Sequence, residues 1–294
     1  MIWCVTLNPS LDVSFVTPDP WQPGTIGQAA RMDVRLGGKG NNVARTIKAL
    51  GGTVSAVSIL GGIMGRDLEA RAAALAIPVV AEWVSEDSRC CITVVAPDHV
   101  TELRAPGPRV PQAVLDRLRD RLSTLCQPDD WVTLSGSLPP GADPATYGDW
   151  IRALKPRVRG ILVDTSGPAL AASLAAEPTA ICPNAEEWTV VASDGIPDRT
   201  QVFITRGRQG VEWRAPGKSA RRWRPPEVAA INTVGAGDSF LGAVVWSLDR
   251  GDDWETAIRW GVAVSAASVE TVGVAAFDVE RARALWPEVL EVSE

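Results

Sequence analysis

The sequence predicts an α/β fold over residues 1–294: a mostly parallel sheet covered by helices on both faces, with a small β-sheet lid. Three observations predict it. Short apolar strand-like segments alternate with helix-like ones along most of the chain. Clusters rich in glycine, proline and asparagine follow several of those strands, where an open parallel sheet presents its ligand crevice. Two extended stretches, Asp12–Leu36 and Arg89–Arg104, break the alternation beside such clusters.

Ile2–Leu7 reads as the first strand. Asn41–Leu50 puts Val43, Ile47 and Leu50 on one helical face and stops at Gly51-Gly52. Val54–Leu60 reads as a strand, then Gly65–Leu75 and Val110–Leu125 as helices. Trp131–Leu134, Gly160–Val163, Ala180–Cys182 and Val202–Thr205 are short apolar strands, mostly followed by loops and helical patterns. The C-terminal third reads as helical: Ala236–Leu248, Trp254–Glu270 and Val279–Leu290. In the second extended stretch, Ile92–Val95 and Val100–Leu103 flank Pro97-Asp98-His99, a hairpin pattern. The two stretches, about 12–36 and 89–104, are expected to form the lid. With no linker, repeat or low-complexity tract, one core domain plus this lid is expected.

The bulk composition narrows the classes. The chain is 46% hydrophobic and 22% charged, ordinary for a soluble enzyme. A net charge of -6 argues against non-specific nucleic-acid or membrane binding, and no apolar run is long enough to span a bilayer. The N-terminus reads as a strand and not as a signal peptide. Cys4, Cys90, Cys91, Cys126 and Cys182 show no metal spacing, and reduced thiols in a cytoplasm are expected. The single histidine, His99, sits in the hairpin turn, which argues against a histidine-rich zinc site, and a Ser-His-Asp triad would have to depend on a hairpin tip. Lysines are rare, so Lys39 inside a glycine cluster stands out.

The most informative stretch is Asn232-Thr233-Val234-Gly235-Ala236-Gly237-Asp238-Ser239-Phe240, a loop opening a helix. Amides at such a helix start attract anions, and residues without bulk let a ligand oxygen approach. An acid there would repel phosphate, so Asp238 needs a reason: it can accept the proton of a hydroxyl attacking a phosphorus held by those amides. A Gly-rich turn whose Asp238 serves the helix dipole is the alternative.

Gly37-Gly38-Lys39-Gly40-Asn41-Asn42 also precedes a helix, combining close approach, a mobile cation and an amide able to bond hydroxyls. It matches neither a Walker A loop nor a dinucleotide fingerprint. Four further clusters follow strands. Asn8-Pro9-Ser10-Leu11-Asp12 places an acid able to take two sugar hydroxyls. Ser135-Gly136-Ser137-Leu138-Pro139-Pro140-Gly141 follows another strand. Pro183-Asn184-Ala185-Glu186-Glu187 gives Asn-x-x-Glu, suited to a hydrated magnesium ion. Thr205-Arg206-Gly207-Arg208-Gln209-Gly210 can line a nucleotide. Each alone reads equally well as a turn or cap; their shared placement is the stronger argument.

With these motifs in this order, the sequence resembles the ribokinase/phosphofructokinase-B family of sugar kinases over nearly its whole length. Asn8–Asp12, Gly37–Arg45, Ser135–Gly141, Asn184-x-x-Glu187 and Thr233–Ser239 carry the resemblance. Gly-Gly-Lys-Gly with Ser-Gly-Ser-Leu-Pro-Pro-Gly is similar to the branch acting on phosphorylated ketohexoses: 1-phosphofructokinase, tagatose-6-phosphate kinase and the minor 6-phosphofructokinase. Ser88-Arg89-Cys90-Cys91-Ile92 with Thr101-Glu102 looks most like tagatose-6-phosphate kinases.

The resemblance implies a ribokinase-like fold with Asp238 as base and the amides of Gly235, Ala236 and Gly237 as an anion hole. It implies Asp12, Gly37, Gly38 and Asn42 around sugar hydroxyls, and Lys39, Arg89 and Ser137 near the sugar's existing phosphate. Asn184, Thr205, Gly207, Gly210, Gly235 and Gly237 would meet ATP, and Asn184 and Glu187 would organise magnesium through water. Some relatives also use potassium near the anion hole. The chain departs from the pattern at Ser88, at Cys90 and at Arg206, which stands where an apolar residue is usual.

The leading expectation is thus an ATP-dependent kinase of a ketohexose phosphate: tagatose 6-phosphate, fructose 1-phosphate or fructose 6-phosphate. The alternatives are a kinase of an unphosphorylated sugar or nucleoside, which the two cations Lys39 and Arg89 disfavour, and a catalytically silent sugar-phosphate sensor, which intact Asp238, Asn184 and Glu187 disfavour. Ile92, Val94, Val100 and Leu103 suggest an apolar lid face, and a homodimer through the lid is expected.

Overall fold

The computed structural model describes residues 1–22, 24–192 and 195–292. Its centre is a ten-stranded sheet. Seven strands run parallel: β1 (Ile2–Thr6), β4 (Val54–Gly61), β5 (Val79–Val84), β8 (Trp131–Ser135), β9 (Gly160–Asp164), β10 (Ala180–Ile181) and β11 (Gln201–Thr205). Beyond β11 the sheet continues antiparallel through β12 (Val211–Arg214), β13 (Arg221–Arg224) and β14 (Leu290–Val292). The spatial order is β14-β13-β12-β11-β10-β9-β8-β1-β4-β5.

The central strands are buried on both faces, so they read as near-continuous apolar runs. One face packs on α1 (Lys39–Ala49), α7 (Ala236–Asp249), α8 (Trp254–Val269) and α9 (Val279–Leu285), with Val43, Ile47, Phe240, Ala243 and Ile258 interdigitating. The other packs on α3 (Gln112–Leu125), α4 (Thr146–Leu154), α5 (Gly167–Leu174) and α6 (Ala185–Val191), through Leu118, Trp150, Ile151 and Leu170.

A separate four-stranded sheet has the order β3-β2-β6-β7, from β2 (Ser10–Val16), β3 (Arg31–Gly37), β6 (Arg89–Val95) and β7 (Val100–Arg104). It lies in the two stretches that interrupt the α/β alternation and extends the first at both ends, to Ser10 and Gly37; Pro23 falls outside the described residues. Pro97-Asp98-His99 makes the β6–β7 turn, closed by Ala96 N–H on the His99 carbonyl.

Cross-strand register sorts this sheet into two faces. Asp12, Arg35, Cys91 and Arg104 share one row of the polar face, with Arg89 in the row beside it. Val13, Val34, Ile92 and Leu103 share a row of the apolar face. At its base Leu36 and Leu11 rest on Leu68 and Ala72 of α2 (Gly62–Ala74). Further out Met32 and Leu103 are 60% and 67% exposed.

The C-terminal expectation needs correction. The helix expected to reach Leu290 ends at Leu285; a 3-10 turn with Pro287 follows, then β14 closes the sheet edge. Proline has no N–H to continue the ladder. The antiparallel strands β12 and β13 are short: Val211, Trp213 and Trp223 face the core, while the opposite face carries Glu212, buried against Arg206, Arg214 and Arg222, so few apolar positions mark them.

Candidate active site

Every expected cluster lies at the carboxyl end of a parallel strand or at the start of a helix facing those ends. Gly235, at φ 83, caps α7 in the left-handed region, where a side chain would also collide with Ala275 N at 2.8 Å. Above Gly237 the space is open, with nothing within 4 Å of a Cβ built there. The first-turn amides therefore border a gap that an anion can enter.

Asp238 lies in this first turn and is 5% exposed. Asn42 Nδ2 donates to its Oδ2 at 2.7 Å. Burial, chiefly, raises its pKa to about 7, with Asp164 adding and Lys39 and Asn42 opposing. A carboxyl poised there can exchange its proton near neutral pH.

Gly37 and Gly38 let the chain turn into α1. The Asp12 carboxylate lies so close to Gly37 that any Cβ would meet it at 2.0 Å. Ser10 Oγ donates to Asp12 Oδ1 at 2.6 Å. Burial raises the Asp12 pKa against the pull of Ser10 and Arg89. Arg89 is anchored through Nε to the Asn8 carbonyl (3.1 Å) and through Nη1 to that of Ala105 (3.3 Å). Ser137 Oγ accepts from Asn8 Nδ2 at 3.3 Å. Asp12, Arg89 and Ser137 thus border one loop, built on Asn8.

The sequence reading paired Lys39 with Arg89; the structure pairs it with Asp164. Lys39 Nζ stands 2.8 Å from Asp164 Oδ1 at the end of β9. Asp164 raises the ammonium's pKa most, and Asp238 and Glu187 add to the rise. Opposite charge at short range in a half-buried crevice decides where this flexible side chain goes. Asn42, expected on sugar hydroxyls, instead bonds Asp238 through Nδ2 and accepts from Arg45 Nη1 at 3.2 Å through Oδ1.

On the nucleotide side, Asn184 and Glu187 form a capping box at the start of α6: Asn184 Oδ1 accepts from Glu187 N–H, and Glu187 Oε2 from Asn184 N–H. Glu187 keeps its second carboxylate oxygen outside that box. Asn184 bridges to Thr205, which places α6 and the Thr205 loop side by side. Gly207 starts a 3-10 turn that closes at Gly210, itself at φ 87 with Trp223 O 1.9 Å from any added Cβ. Arg206, unusual at its place in the resemblance, is paired with buried Glu212.

A model of the pfkB family of carbohydrate kinases matches residues 6–281. The chain belongs to this family. Among curated relatives, it is 30% identical to a 1-phosphofructokinase of Escherichia coli K12, covering 97% of this chain and 96% of that one. It is 28% identical to a 1-phosphofructokinase of Vibrio cholerae, covering 97% and 94%. Among solved structures, the phosphofructokinase-2 of Escherichia coli in complex with substrates and products superposes with a TM-score of 0.89 at 26% identity, covering 98% of each chain. The same protein in complex with potassium gives 0.88 at 25%. A ribokinase of Thermotoga maritima, at 0.74 and 21%, shares the fold over 98% of this chain. This pfkB kinase is therefore a ribokinase-like phosphotransferase with an alcohol group as acceptor, and its family implies ATP and a metal ion.

Reading the sequence of this pfkB kinase missed Asp164. An acid ending an apolar strand is the same signal that singled out Asp12, and Gly160–Val163 was in view.

Proposed function

We propose that the protein transfers the γ-phosphoryl group of ATP to a hydroxyl of a ketohexose phosphate, giving a bisphosphate and ADP, with fructose 1-phosphate favoured by the curated relatives. The observation that carries the reading is the buried carboxyl of Asp238, raised to about 7, beside the open helix start at Gly237. The sugar oxygen attacks phosphorus while Asp238 takes its proton, and the bond from phosphorus to the ADP oxygen breaks. The Gly235, Ala236 and Gly237 amides receive the charge on the transferring group. Lys39 spans the space between Asp164 and Asp238. Asp12 holds sugar hydroxyls beside Gly37 and Gly38, and Arg89 with Ser137 holds the substrate's phosphate.

The residues fit magnesium. Asp164, Asp238 and Glu187 all act on one ammonium, Lys39, which leaves a surplus of negative charge. A few carboxylates plus ligand phosphates suit this ion, which keeps much of its water. Glu187, Asn184 and Asp164 would hold it through water, and it would neutralise charge on the ATP phosphates. Carbonyls of Val272, Gly273, Val274 and Ala276, in the loop beside Gly235, already accept from Asn232, Thr271 and Arg45. No part of the reaction is assigned to potassium. Five free cysteines suit a cytoplasmic location, and among the described residues no helix is long and apolar enough to cross a membrane.

The reading is tested by ADP release with magnesium and ATP over fructose 1-phosphate, fructose 6-phosphate, tagatose 6-phosphate, unphosphorylated fructose and adenosine. A phosphorylated ketohexose is expected to exceed fructose about 100-fold in kcat/KM, the size of one or two charged hydrogen bonds. A best substrate without phosphate would favour the rival kinase reading. Binding of a sugar phosphate with no ADP release over background would favour the silent sensor.

The small sheet completes the proposal. Its polar face carries Asp12 and Arg89, so closure over the sugar would exclude competing water. Its partly uncovered apolar face would be covered by a second copy. Light scattering at micromolar concentration is expected to give a dimer that Leu103→Glu returns to a monomer. A monomeric parent protein would eliminate the dimer while leaving the catalytic reading intact.

A further inference from the structure

Arg45 is a half-buried arginine whose hydrogen bonds all go to neutral acceptors. From the second turn of α1, its Nη1 donates to Asn42 Oδ1 at 3.2 Å and, more loosely, to the Leu36 carbonyl at 3.5 Å. Its Nη2 donates to the Val274 carbonyl at 3.1 Å. Among the described residues no carboxylate is in hydrogen-bond contact with it; the Arg35 guanidinium is near enough to oppose its charge, and the more distant carboxylates of Asp12, Asp238 and Asp33 favour it. Burial, with Arg35 second, lowers its pKa to about 10. An apolar side chain would fill this volume at less cost in desolvation, so the guanidinium calls for a role beyond packing.

Its three acceptors suggest that role. Asn42 Oδ1 is one end of the amide whose other end meets Asp238. Leu36 is the last residue but one of the small sheet's β3 strand. Val274 belongs to the loop whose Val274 Cγ1 and Ala275 N crowd Gly235, at 2.8 Å from any Cβ there. One guanidinium thus joins the base, the anion-hole loop and the small sheet.

We propose that Arg45 is a positioning residue for phosphoryl transfer, fixing the Asn42 amide with its NH2 end on Asp238 while tying that pair to the loop that seats the anion hole. The inference rests on reading Asp238 as the base. Arginine can only donate, so it claims the amide oxygen of Asn42 and leaves the nitrogen for Asp238. Without it the amide can turn over and accept from protonated Asp238, which stabilises the inactive form. With it Asn42 only donates, and donation favours the carboxylate. The other charged groups facing Asp238 are Lys39 from α1, Asp164 from β9 and Asp12 from β2; Lys39 favours the carboxylate, while Asp164 and Asp12 oppose it.

The test is a carboxyl-carbon NMR titration of the free protein, with Asp238 assigned by its absence in Asp238→Asn, beside kcat/KM against pH with fructose 1-phosphate and magnesium-ATP. In Arg45→Met the Asp238 midpoint is expected to rise by about half a unit to one unit. The plateau of kcat/KM should fall roughly 10- to 100-fold, as for a small misplacement of reacting groups. Arg45→Lys should restore the midpoint but not the plateau, since an ammonium can likewise only donate to Asn42 Oδ1 but lacks the fork that also reaches Val274. Unchanged midpoint and plateau in folded Arg45→Met would overturn the inference, and Arg45→Gln serves the same comparison if the methionine variant does not fold. Full activity in Asp238→Asn would instead remove the base assignment, whatever Arg45 does.

Discussion

Asp238→Asn is expected to cut turnover by about 10²–10⁴-fold, the usual worth of a general base. Asparagine keeps the shape and can still meet Asn42, so the loop should hold and sugar binding should persist. What disappears is the carboxylate proposed to take the sugar's proton, beside the amides proposed to hold the other reactant. A variant keeping more than roughly a tenth of wild-type kcat would remove Asp238 from this role. The same carboxyl sets the pH dependence. Below its midpoint near 7 it carries a proton and cannot accept another, so kcat/KM should fall about tenfold per pH unit on the acid side and level off above.

Stability should move the opposite way from activity. The folded-state pKa of Asp238 lies above its unfolded value of 3.8, so the folded protein binds the extra proton between the two. Folding therefore loses stability as pH rises through that window, up to a limit of about 4 kcal/mol when the carboxylate is fully charged. Asp238→Asn should accordingly melt higher than wild type at pH 8, and this gain should shrink toward pH 4. A melting point lower than wild type at pH 8 would contradict a carboxylate buried at a cost.

Lys39→Met is the second large effect. The ammonium is bonded to Asp164 and lies in the field of Asp238 and Glu187, at the centre of the crevice. There it can meet charge as it moves from the γ-phosphoryl group to the departing ADP oxygen. Removing one such donor typically costs about 10²–10³ in kcat. It also leaves three carboxylates without their shared cation, which pushes the Asp238 pKa higher and moves the acid limb of the pH profile up. The KM for phosphosugar should change by less than about tenfold. Arg89→Ala should do the reverse, raising that KM roughly tenfold or more with kcat largely kept. Should Lys39→Met keep kcat and raise only the phosphosugar KM, Lys39 would belong on the substrate's phosphate, as the sequence reading placed it.

Legibility of the site followed the range of the interactions involved. Asp238, with small residues before it and an apolar run after it, marks a helix start that any reader of the chain can find. Asp12 and the Asn184–Glu187 pair were visible for the same local reason. The capping box at α6 is itself a local motif, and one oxygen of each side chain serves it. Asp164 was within reach of the rule applied to Asp12. Partnerships were not legible: Lys39 with Asp164 spans 125 residues of sequence, and Asn42 with Asp238 spans 196.

By itself the sequence determined the alternation of strands and helices, the placement of glycine turns at strand ends, and the hairpin around His99. These depend on periodicities of 2 and 3.6 residues and on backbone freedoms written into single residues. Only the tertiary structure decided which charges meet. It turned Lys39 toward Asp164, gave Asn42 to Asp238 and Arg45, and ended α9 early so that β14 could close the sheet edge beside β13. Such choices rest on Coulomb energies and desolvation in a crevice assembled from distant segments, which no local pattern encodes.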